Sequence, residues 1–263
     1  MNNMRNLFVA LGKHVMSVLY FVGGLSNLTF QAFCLAFVPP YKKERVIEQA
    51  KKTGVDSLPI VTLVALFIGI IMALQTAVKM QRLGSEMYIA SIVALSVVRE
   101  LGPVLTALIV AGRSGASITA EIGTMTVTEQ VDALETLATN PLQYLVVPRL
   151  VAATLMLPIL TLYSDVIGIL GGYIICVFRL GISSSMYLHI TYDALLYKDL
   201  FTGLIKAVFF GMIIAFVGCY EGFNVEGGAE GVGKATTRSV VNTFILILSA
   251  DCFFTALFYF IFP

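Results

Sequence analysis

LPIVTLVALFIGIIMALQTAV, residues 58–78, contains no charged side chain. A helix needs about 20 consecutive apolar residues to cross the ~30 Å hydrocarbon core of a bilayer, so this stretch is long enough to span a membrane. Residues 87–111 and 240–263 form two further apolar runs of similar length. The runs contain Gly, Ala and Met without the strict alternation of a membrane β-barrel strand, which favours helices. The sequence therefore predicts an all-α integral membrane protein.

The overall composition supports the same class. Hydrophobic residues make up 58% of the 263-residue chain and charged residues only 13%, against ~25% in soluble domains. A net charge of +1 gives no electrostatic reason to expect nucleic acid as a partner. The four cysteines are isolated in apolar runs, without the spacing of a metal site or of a disulfide framework. No metal or other cofactor is therefore expected on this chain.

The apolar runs predict five spans, with the N-terminus in the cytoplasm and the C-terminus outside it. The spans are expected at residues 58–80, 87–112, 145–178, 200–220 and 239–262. Pro148 and Pro158 are expected to kink the third span, which is too long for a straight crossing. The positive-inside rule sets the orientation, because most Lys and Arg residues then fall on the inner side. These are Arg5, Lys13, Lys42, Lys43, Arg45, Lys51, Lys52, Arg113, Arg149, Lys234 and Arg238.

The N-terminal region, residues 1–40, is predicted to be a helix that lies in the membrane interface. It is apolar with a narrow polar stripe at helical spacing, formed by Asn6, Lys13, Ser17, Tyr20, Gly24, Asn27 and Gln31. A sixth span and a signal peptide are the alternatives, but the run lacks a convincing cleavage site. Residues 41–57 are polar and are expected to form a cytoplasmic linker to the five-span domain, residues 58–263.

The connection between spans two and three is an unusual loop. Residues 120–140, AEIGTMTVTEQVDALETLATN, are acidic and contain no Lys or Arg, against the trend of inner loops. Apolar residues recur at helical spacing, which predicts an amphipathic helix over about 121–137, after a turn at Gly123 and capped by Thr126 or Thr128. Such a helix either docks onto another protein or packs against this chain, and its residues alone leave both readings open.

A glycine-rich segment, EGFNVEGGAEGVGKATTR at residues 221–238, comes close to a phosphate-binding P-loop. Ala235 stands where a P-loop has Ser or Thr, and no strand precedes the segment, so nucleotide binding is not expected. A flexible connection into span five is the preferred interpretation, with Thr236 or Thr237 as the helix cap.

Charged residues inside the spans are candidate functional groups because they are costly in lipid. Arg99 and Glu100 in span two, and Asp199 and Lys206 in span four, are expected to form a charged network in the outer half of the membrane. That network either gates a lipid path and meets a headgroup, or only holds the two helices together. Asp165 and Asp251 are lone acids, of which Asp251 is a candidate for a central cavity. Candidate contacts for acyl chains are Met80, Leu83, Met87 and Tyr88.

Three long strings resemble the MlaE/YrbE family of ABC-transporter permeases in order and spacing. They are RELGPVLTALIVAGRSGASITAEIGTMTVTEQVDALE (residues 99–135), NPLQYLVVPRLVA (residues 140–152) and EGGAEGVGKATTRSVV (residues 226–241). The resemblance extends over about residues 40–263, and the composite pattern is specific. The N-terminal helix is also similar to the interfacial helix of that family.

The resemblance implies a homodimeric permease in the bacterial inner membrane that moves phospholipid to or from a periplasmic carrier. The implied partners are a cytoplasmic ATPase dimer, which binds ATP and Mg²⁺, a periplasmic hexamer of MCE domains, and a small STAS-domain protein. The segment 121–137 then becomes the coupling helix that contacts the ATPase. Its candidate residues are Glu121, Thr128, Glu129, Gln130, Asp132, Leu134 and Glu135.

Two other functions compete with this interpretation. A secondary transporter could use Arg99, Glu100, Lys206 and Asp251 as an ion or proton relay, although no inverted repeat is visible. An intramembrane enzyme would need a nucleophile and base or a metal motif, and neither HExxH nor GxSxG occurs in the sequence.

Overall fold

The computed structural model describes residues 2–36, 43–82 and 84–261, and this part of the chain is helical without a strand. Its α-helices are α1 (Asn2–Ala36), α2 (Lys43–Thr53), α3 (Leu58–Arg82), α4 (Tyr88–Ser96), α5 (Gly102–Val110), α6 (Ala116–Val127), α7 (Gln130–Thr136), α8 (Val147–Phe178), α9 (Ser184–Ala194), α10 (Tyr197–Phe223) and α11 (Gly228–Ile261). The predicted all-α class is confirmed.

Within this described part, five continuous helical segments are long and apolar enough to cross a membrane. They are Lys43–Arg82, Tyr88–Val127, Leu142–Phe178, Tyr197–Phe223 and Gly228–Phe260. Each contains one predicted span, so the chain is a multi-pass membrane protein with five spans. The first two segments have 40 residues each, or about 60 Å of helix, which is twice the thickness of the hydrocarbon core. Both must therefore project well beyond the lipid.

The polar stretch before span one is part of that projection. The predicted linker 41–57 is mostly the helix α2, which a 3₁₀ turn at Val55–Ser57 joins directly to α3. α2 packs against α8 and ends in buried Thr53. The first span is therefore preceded by a continuous helical segment instead of a loop.

Spans two and three contain single π-helical turns, which insert an extra residue into an α-helix and occur often at functional sites. Two interrupt span two, at Val97–Leu101 and Ala111–Gly115, and one opens span three at Leu142–Val146. Pro148 closely follows the last of these turns, within the continuous segment Leu142–Phe178, and Pro158 lies inside α8 without ending it.

Small residues bring spans one and three into close contact. A Cβ atom added to Gly69 of α3 would lie 1.9 Å from the carbonyl oxygen of Gly168, and one added to Gly171 of α8 would lie 2.4 Å from that of Leu66. Both distances are below any real contact, so these two backbones can touch only through glycine. Close packing of this kind is a main source of helix association in a membrane. Lipid tails are as apolar as the side chains, so the hydrophobic effect does not drive helices together there.

α1 packs on the body of the protein through one edge. Leu28 and Ala32 are buried in a cluster with residues of α6, α8 and α10, while Tyr20 and Phe30 remain exposed. Of the predicted polar stripe, the exposed Gln31 donates a hydrogen bond to Asn27 Oδ1 at 3.0 Å. The side chains of Asn6, Lys13 and Ser17 lie outside the described residues, as does the Pro39-Pro40 pair. The interfacial position of α1 therefore stays a prediction.

The glycine-rich segment 221–238 differs from its prediction. α10 ends at Phe223 and α11 begins at Gly228, so a connection of four residues replaces the expected long flexible loop. Thr236 and Thr237 lie inside α11 and donate to the carbonyl oxygens of Val232 and Gly233, instead of capping the helix. The turn needs glycine at Gly227, where φ is +87°.

Candidate functional site

The first charged cluster begins at the π-helical turn Val97–Leu101 of span two. Arg99 Nε lies 2.8 Å from Asp199 Oδ1 of α10. The Asp199 side chain is only 3% exposed, and its Oδ2 also accepts the backbone N–H of Leu196 at 3.1 Å. A nearly buried carboxylate is thereby compensated by one guanidinium and by the first turn of its own helix.

Lys206 lies at the centre of the cluster, with its side chain 2% exposed. Its Nζ is 2.7 Å from Glu100 Oε2 of span two and 2.9 Å from Asp251 Oδ1 of span five. It also donates to Thr255 Oγ1 at 2.7 Å. A buried ammonium is tolerated only with such complete compensation, because isolated charges are strongly disfavoured in apolar surroundings.

We call this group the Lys206 network. It consists of Arg99, Glu100, Asp199, Lys206 and Asp251 and joins spans two, four and five. The structure brings together the four residues that sequence reasoning grouped, and it adds Asp251. The interpretation of Asp251 as a lone acid was wrong, because its partner lies on another helix, 45 positions away along the chain, which no local spacing can show.

Beside this network lies a cleft of about 310 Å³, the Lys206 cleft. Exposed Lys198 and Tyr259 contribute to its wall along with Arg99, Glu100 and Lys206. Arg99 and Glu100 keep 48% and 43% of their side chains exposed, so the charges of the network can be reached from the cleft. The cleft therefore offers both cations and carboxylates to an incoming polar group.

The described residues that were predicted to contact acyl chains lie outside the Lys206 cleft. Met80 is half-buried among residues of spans two and three, and Met87 and Tyr88 are 47% and 57% exposed near the start of α4. The described residues that line the Lys206 cleft do not include these three. Leu83, the fourth candidate for acyl contact, lies outside the described residues.

Asp165 in span three is 4% exposed, and its Oδ1 has no hydrogen-bond partner within the described part of the chain. The nearby Tyr163 hydroxyl shares a hydrogen bond with Thr62 Oγ1 at 2.7 Å. Asp165 lies against Gly102, because a Cβ at that glycine would come within 1.8 Å of its carboxylate. Within the described residues, no ion pair joins Asp165 to the Lys206 network.

The second charged cluster lies at the opposite end of span two. Glu121 accepts hydrogen bonds from Lys52 of α2 at 3.0 Å and from Arg149 of α8 at 2.8 Å. We call these three residues the Glu121 network. Glu100 and Glu121 are 21 residues apart on span two, which corresponds to about 32 Å of helical rise. The two networks are therefore separated along span two by about the thickness of the hydrocarbon core.

The predicted single helix over 121–137 is instead two helices. α6 runs to Val127, the chain turns at Thr128 and Glu129, and α7 follows. Glu129 adopts the left-handed conformation with φ of +59°. Gly123 is not a turn but a packing position, since a Cβ there would lie 2.7 Å from Val225 Cγ2.

The expected threonine caps are also absent from this stretch. Thr126 donates to the carbonyl oxygens of Ile122 and Gly222, and Thr128 donates to that of Thr124. Both hydroxyls therefore donate to backbone carbonyl oxygens within α6 or next to it, and neither caps the N-terminus of a helix.

α7 contains no buried residue, and its acidic side chains face outward. Glu129, Gln130, Asp132 and Glu135 are exposed, and in the described part of the chain no ion pair includes the three acids among them. Leu134 is half-buried, whereas Leu137 is 74% exposed just beyond the helix. Within the predicted coupling helix, 121–137, the acidic and exposed part is therefore α7, a separate helix of seven residues.

Residues 46–257 match the family described as permease MlaE. The chain belongs to the MlaE permease family. It is 47% identical over 249 residues to a probable ABC transporter permease protein of Rickettsia prowazekii, which covers 95% of this chain and 96% of that one. It is 40% identical over 226 residues to a probable ABC transporter permease protein of Synechocystis, which covers 86% of each chain.

A third relative adds a more specific description. The intermembrane phospholipid transport system permease protein MlaE of Haemophilus influenzae is 36% identical over 255 residues, covering 96% of this chain and 97% of that one. The family resemblance found in the sequence is confirmed, and the chain is an ABC-transporter permease. Neither the Lys206 network nor the Glu121 network is assigned a role by these similarities.

Proposed function

We propose that this permease moves phospholipid between the bacterial inner membrane and a periplasmic MCE-protein carrier. A separate ATPase drives the movement. The observation that carries the proposal is the Lys206 cleft, where a compensated charge network is accessible within an otherwise apolar span. The name of the Haemophilus relative supports phospholipid as the substrate class.

The chemistry of the cleft fits a zwitterionic or anionic headgroup. A phosphodiester competes with Asp199 for Arg99 and with Glu100 and Asp251 for Lys206, because all are oxygen anions that accept hydrogen bonds from cations. Exposed Tyr259 of α11, in the wall of the cleft, provides aromatic surface near these charges for the acyl chains. The network then opens when a headgroup replaces a carboxylate and closes again when the lipid leaves.

We further propose that two copies of the chain form the transporter. α11 exposes a row of large apolar side chains, among them Val241, Ile245 and Leu248. This surface suits a second copy across a shared lipid path. An MCE-domain hexamer would cover the side that carries the Lys206 network, which places the N-terminus in the cytoplasm and the C-terminus in the periplasm.

The ATPase dimer is proposed to bind at α7. Exposed Glu129 and Gln130 form the centre of the contact, and Asp132, Leu134 and Glu135 complete it. Thr128 forms the turn before α7, while Glu121 links α6 to Lys52 of α2 and Arg149 of α8. ATP and Mg²⁺ bind to the ATPase in this proposal, and a STAS-domain protein attaches to the ATPase without touching this chain.

Co-purification from lipid nanodiscs tests the assembly. The native chain should bring an ATPase with it, and Glu129→Lys should detach it because a cation replaces an acid at the contact. The control is Glu86→Lys, which makes the same charge change near the start of α4, away from α7. Transport by the purified chain without any ATPase, driven by a proton gradient, would overturn the proposal and support the ion-coupled alternative.

A further inference from the structure

A cleft of about 510 Å³ lies between α7 and neighbouring helices. We call it the Glu121 cleft. α2, α6, α7 and the beginning of span three form its walls. Its volume falls within the range of about 300–1,000 Å³ that is usual for small-molecule sites. Its charged lining consists of Arg45, Glu48, Lys52, Glu121 and Arg149, an excess of one positive charge.

Arg45 supplies this excess charge. Its guanidinium carbon lies 3.6 Å from the centre of the Tyr144 ring, and it donates a hydrogen bond to the Tyr144 hydroxyl. No carboxylate pairs with Arg45 within the described residues, since Glu48 pairs with Lys52 at 3.3 Å. An arginine that is held in place by an aromatic ring and lacks a counter-ion is ready to bind an anion.

Arg149 adds a second, buried guanidinium to the same cleft. Its side chain is 7% exposed, and it donates to Glu121 Oε2 at 2.8 Å and to the carbonyl oxygen of Leu145 at 2.9 Å. Its Nε has no hydrogen-bond partner in the part of the chain that the structure describes. A buried guanidinium with an unused donor keeps the local potential positive.

The remaining walls of the cleft are apolar. Met125, Leu134, Leu137 and Leu145 line it beside the charged groups. α2, which forms one wall of the cleft, continues through the turn Val55–Ser57 into the uncharged run that starts at Leu58. A ligand that matches both surfaces has an anionic head and an apolar tail.

We propose that the Glu121 cleft binds the phosphate of an anionic phospholipid from the leaflet on the α7 side, with Arg45 as its main contact. The bound lipid fills the space between α7 and the body and so fixes the position of α7. This site lies across the membrane from the Lys206 cleft. It goes beyond the proposed transport function and does not depend on it, because binding needs neither an ATPase nor lipid movement.

Native mass spectrometry of the full chain in detergent tests this site with phosphatidylglycerol as the probe. Arg45→Gln should weaken phosphatidylglycerol binding about tenfold, which corresponds to ~1.4 kcal/mol. Lys51→Gln is the matched control, because it removes the same charge from an exposed position of the same helix. It should leave binding within about twofold of the native chain, or ~0.4 kcal/mol.

Tyr144→Leu keeps the charge of Arg45 but removes the ring and the hydroxyl that hold it, so binding should fall between these two values. Equal losses in Arg45→Gln and Lys51→Gln would overturn the proposal in favour of general attraction between cations and lipid. Equal binding of phosphatidylcholine would overturn it as well. Displacement by inorganic phosphate at the same concentration would show a site for small anions and not for a lipid headgroup.

Discussion

The two charged networks of this permease have opposite designs. In the Lys206 network a buried cation lies between the carboxylates of Glu100 and Asp251, and in the Glu121 network a carboxylate lies between the cations Lys52 and Arg149. The first joins spans two, four and five, and the second joins the helical segments of spans one, two and three. Span two alone belongs to both. An anionic headgroup can therefore compete with the carboxylates for Lys206, the central residue of the first network. In the second network the central residue is itself an anion, so a headgroup can bind only to the surrounding cations.

The largest difference in stability should come from the central residues. Lys206→Met leaves Glu100 and Asp251 without their shared cation, and removal of one partner from a buried pair costs about 3–5 kcal/mol. The free energy of unfolding in detergent can be followed through labelling of the buried Cys176 and Cys219, with the exposed Cys34 and Cys252 replaced by serine.

Lys79→Met is the control for this change, since Lys79 is an exposed lysine at the end of α3. Its effect should stay within about 0.5 kcal/mol. An equal loss in both variants would mean that Lys206 is not held by its carboxylates.

The next effect is expected at Arg149. Arg149→Met removes the buried cation of the Glu121 network but leaves Lys52 beside Glu121, which is itself 33% exposed. The remaining carboxylate is therefore partly compensated by lysine and water, and the cost should be about 2–3 kcal/mol, below that of Lys206→Met. The same labelling experiment checks the order, with exposed Arg179→Met as the control. A greater loss at Arg149 than at Lys206 would reverse the comparison.

Lys52 should matter least among the paired residues. Its side chain is 43% exposed, so Lys52→Gln should cost about 0–1 kcal/mol, as for a surface ion pair. High salt should reduce the difference between this variant and the native chain, because exposed pairs are screened. A loss comparable to that of Arg149→Met would show that both cations are needed to hold Glu121.

The smallest expected quantity is the energetic coupling between the networks in the resting protein. The sites are about 32 Å apart along span two, so the costs of Lys206→Met and Arg149→Met should add within about 0.5 kcal/mol. The double variant, measured with the two single variants, gives this coupling directly. A departure of several times that value would show that span two transmits strain between the two sides even without an ATPase.

Much of the fold could be predicted from the sequence. The five apolar runs mark the spans, and the known thickness of the hydrocarbon core sets the length that each span needs. The charged residues of the Lys206 network were also visible, since charge in a span is costly. Their pairing was visible only in part. Asp251 had no partner within its own helix, and the rotation of one span against another is not encoded in local spacing.

The errors at the α7 side have a similar physical origin. Gly123 resembled a turn, but it serves close packing against Val225, whereas the actual turn uses Glu129, a residue that rarely adopts positive φ. The glycines after Gly227 resembled a loop, yet they continue as the first turns of α11. Arg149 and Lys52 were counted only as inner cations, because their distance from Glu121 depends on how three helical segments pack.

The central claim is that the Lys206 network lies on the path of the lipid. Its most direct test is ATP-driven phospholipid transfer by the reconstituted complex carrying Asp251→Asn, compared with Asp193→Asn, which changes an exposed carboxylate of α9. Asp251→Asn leaves the pair of Lys206 and Glu100 in place, so the complex should assemble and keep its ATPase. Transfer should fall about tenfold or more, or ~1.4 kcal/mol, in Asp251→Asn and remain near native in Asp193→Asn. Native transfer by Asp251→Asn would contradict the account and leave the network as a purely structural link between helices.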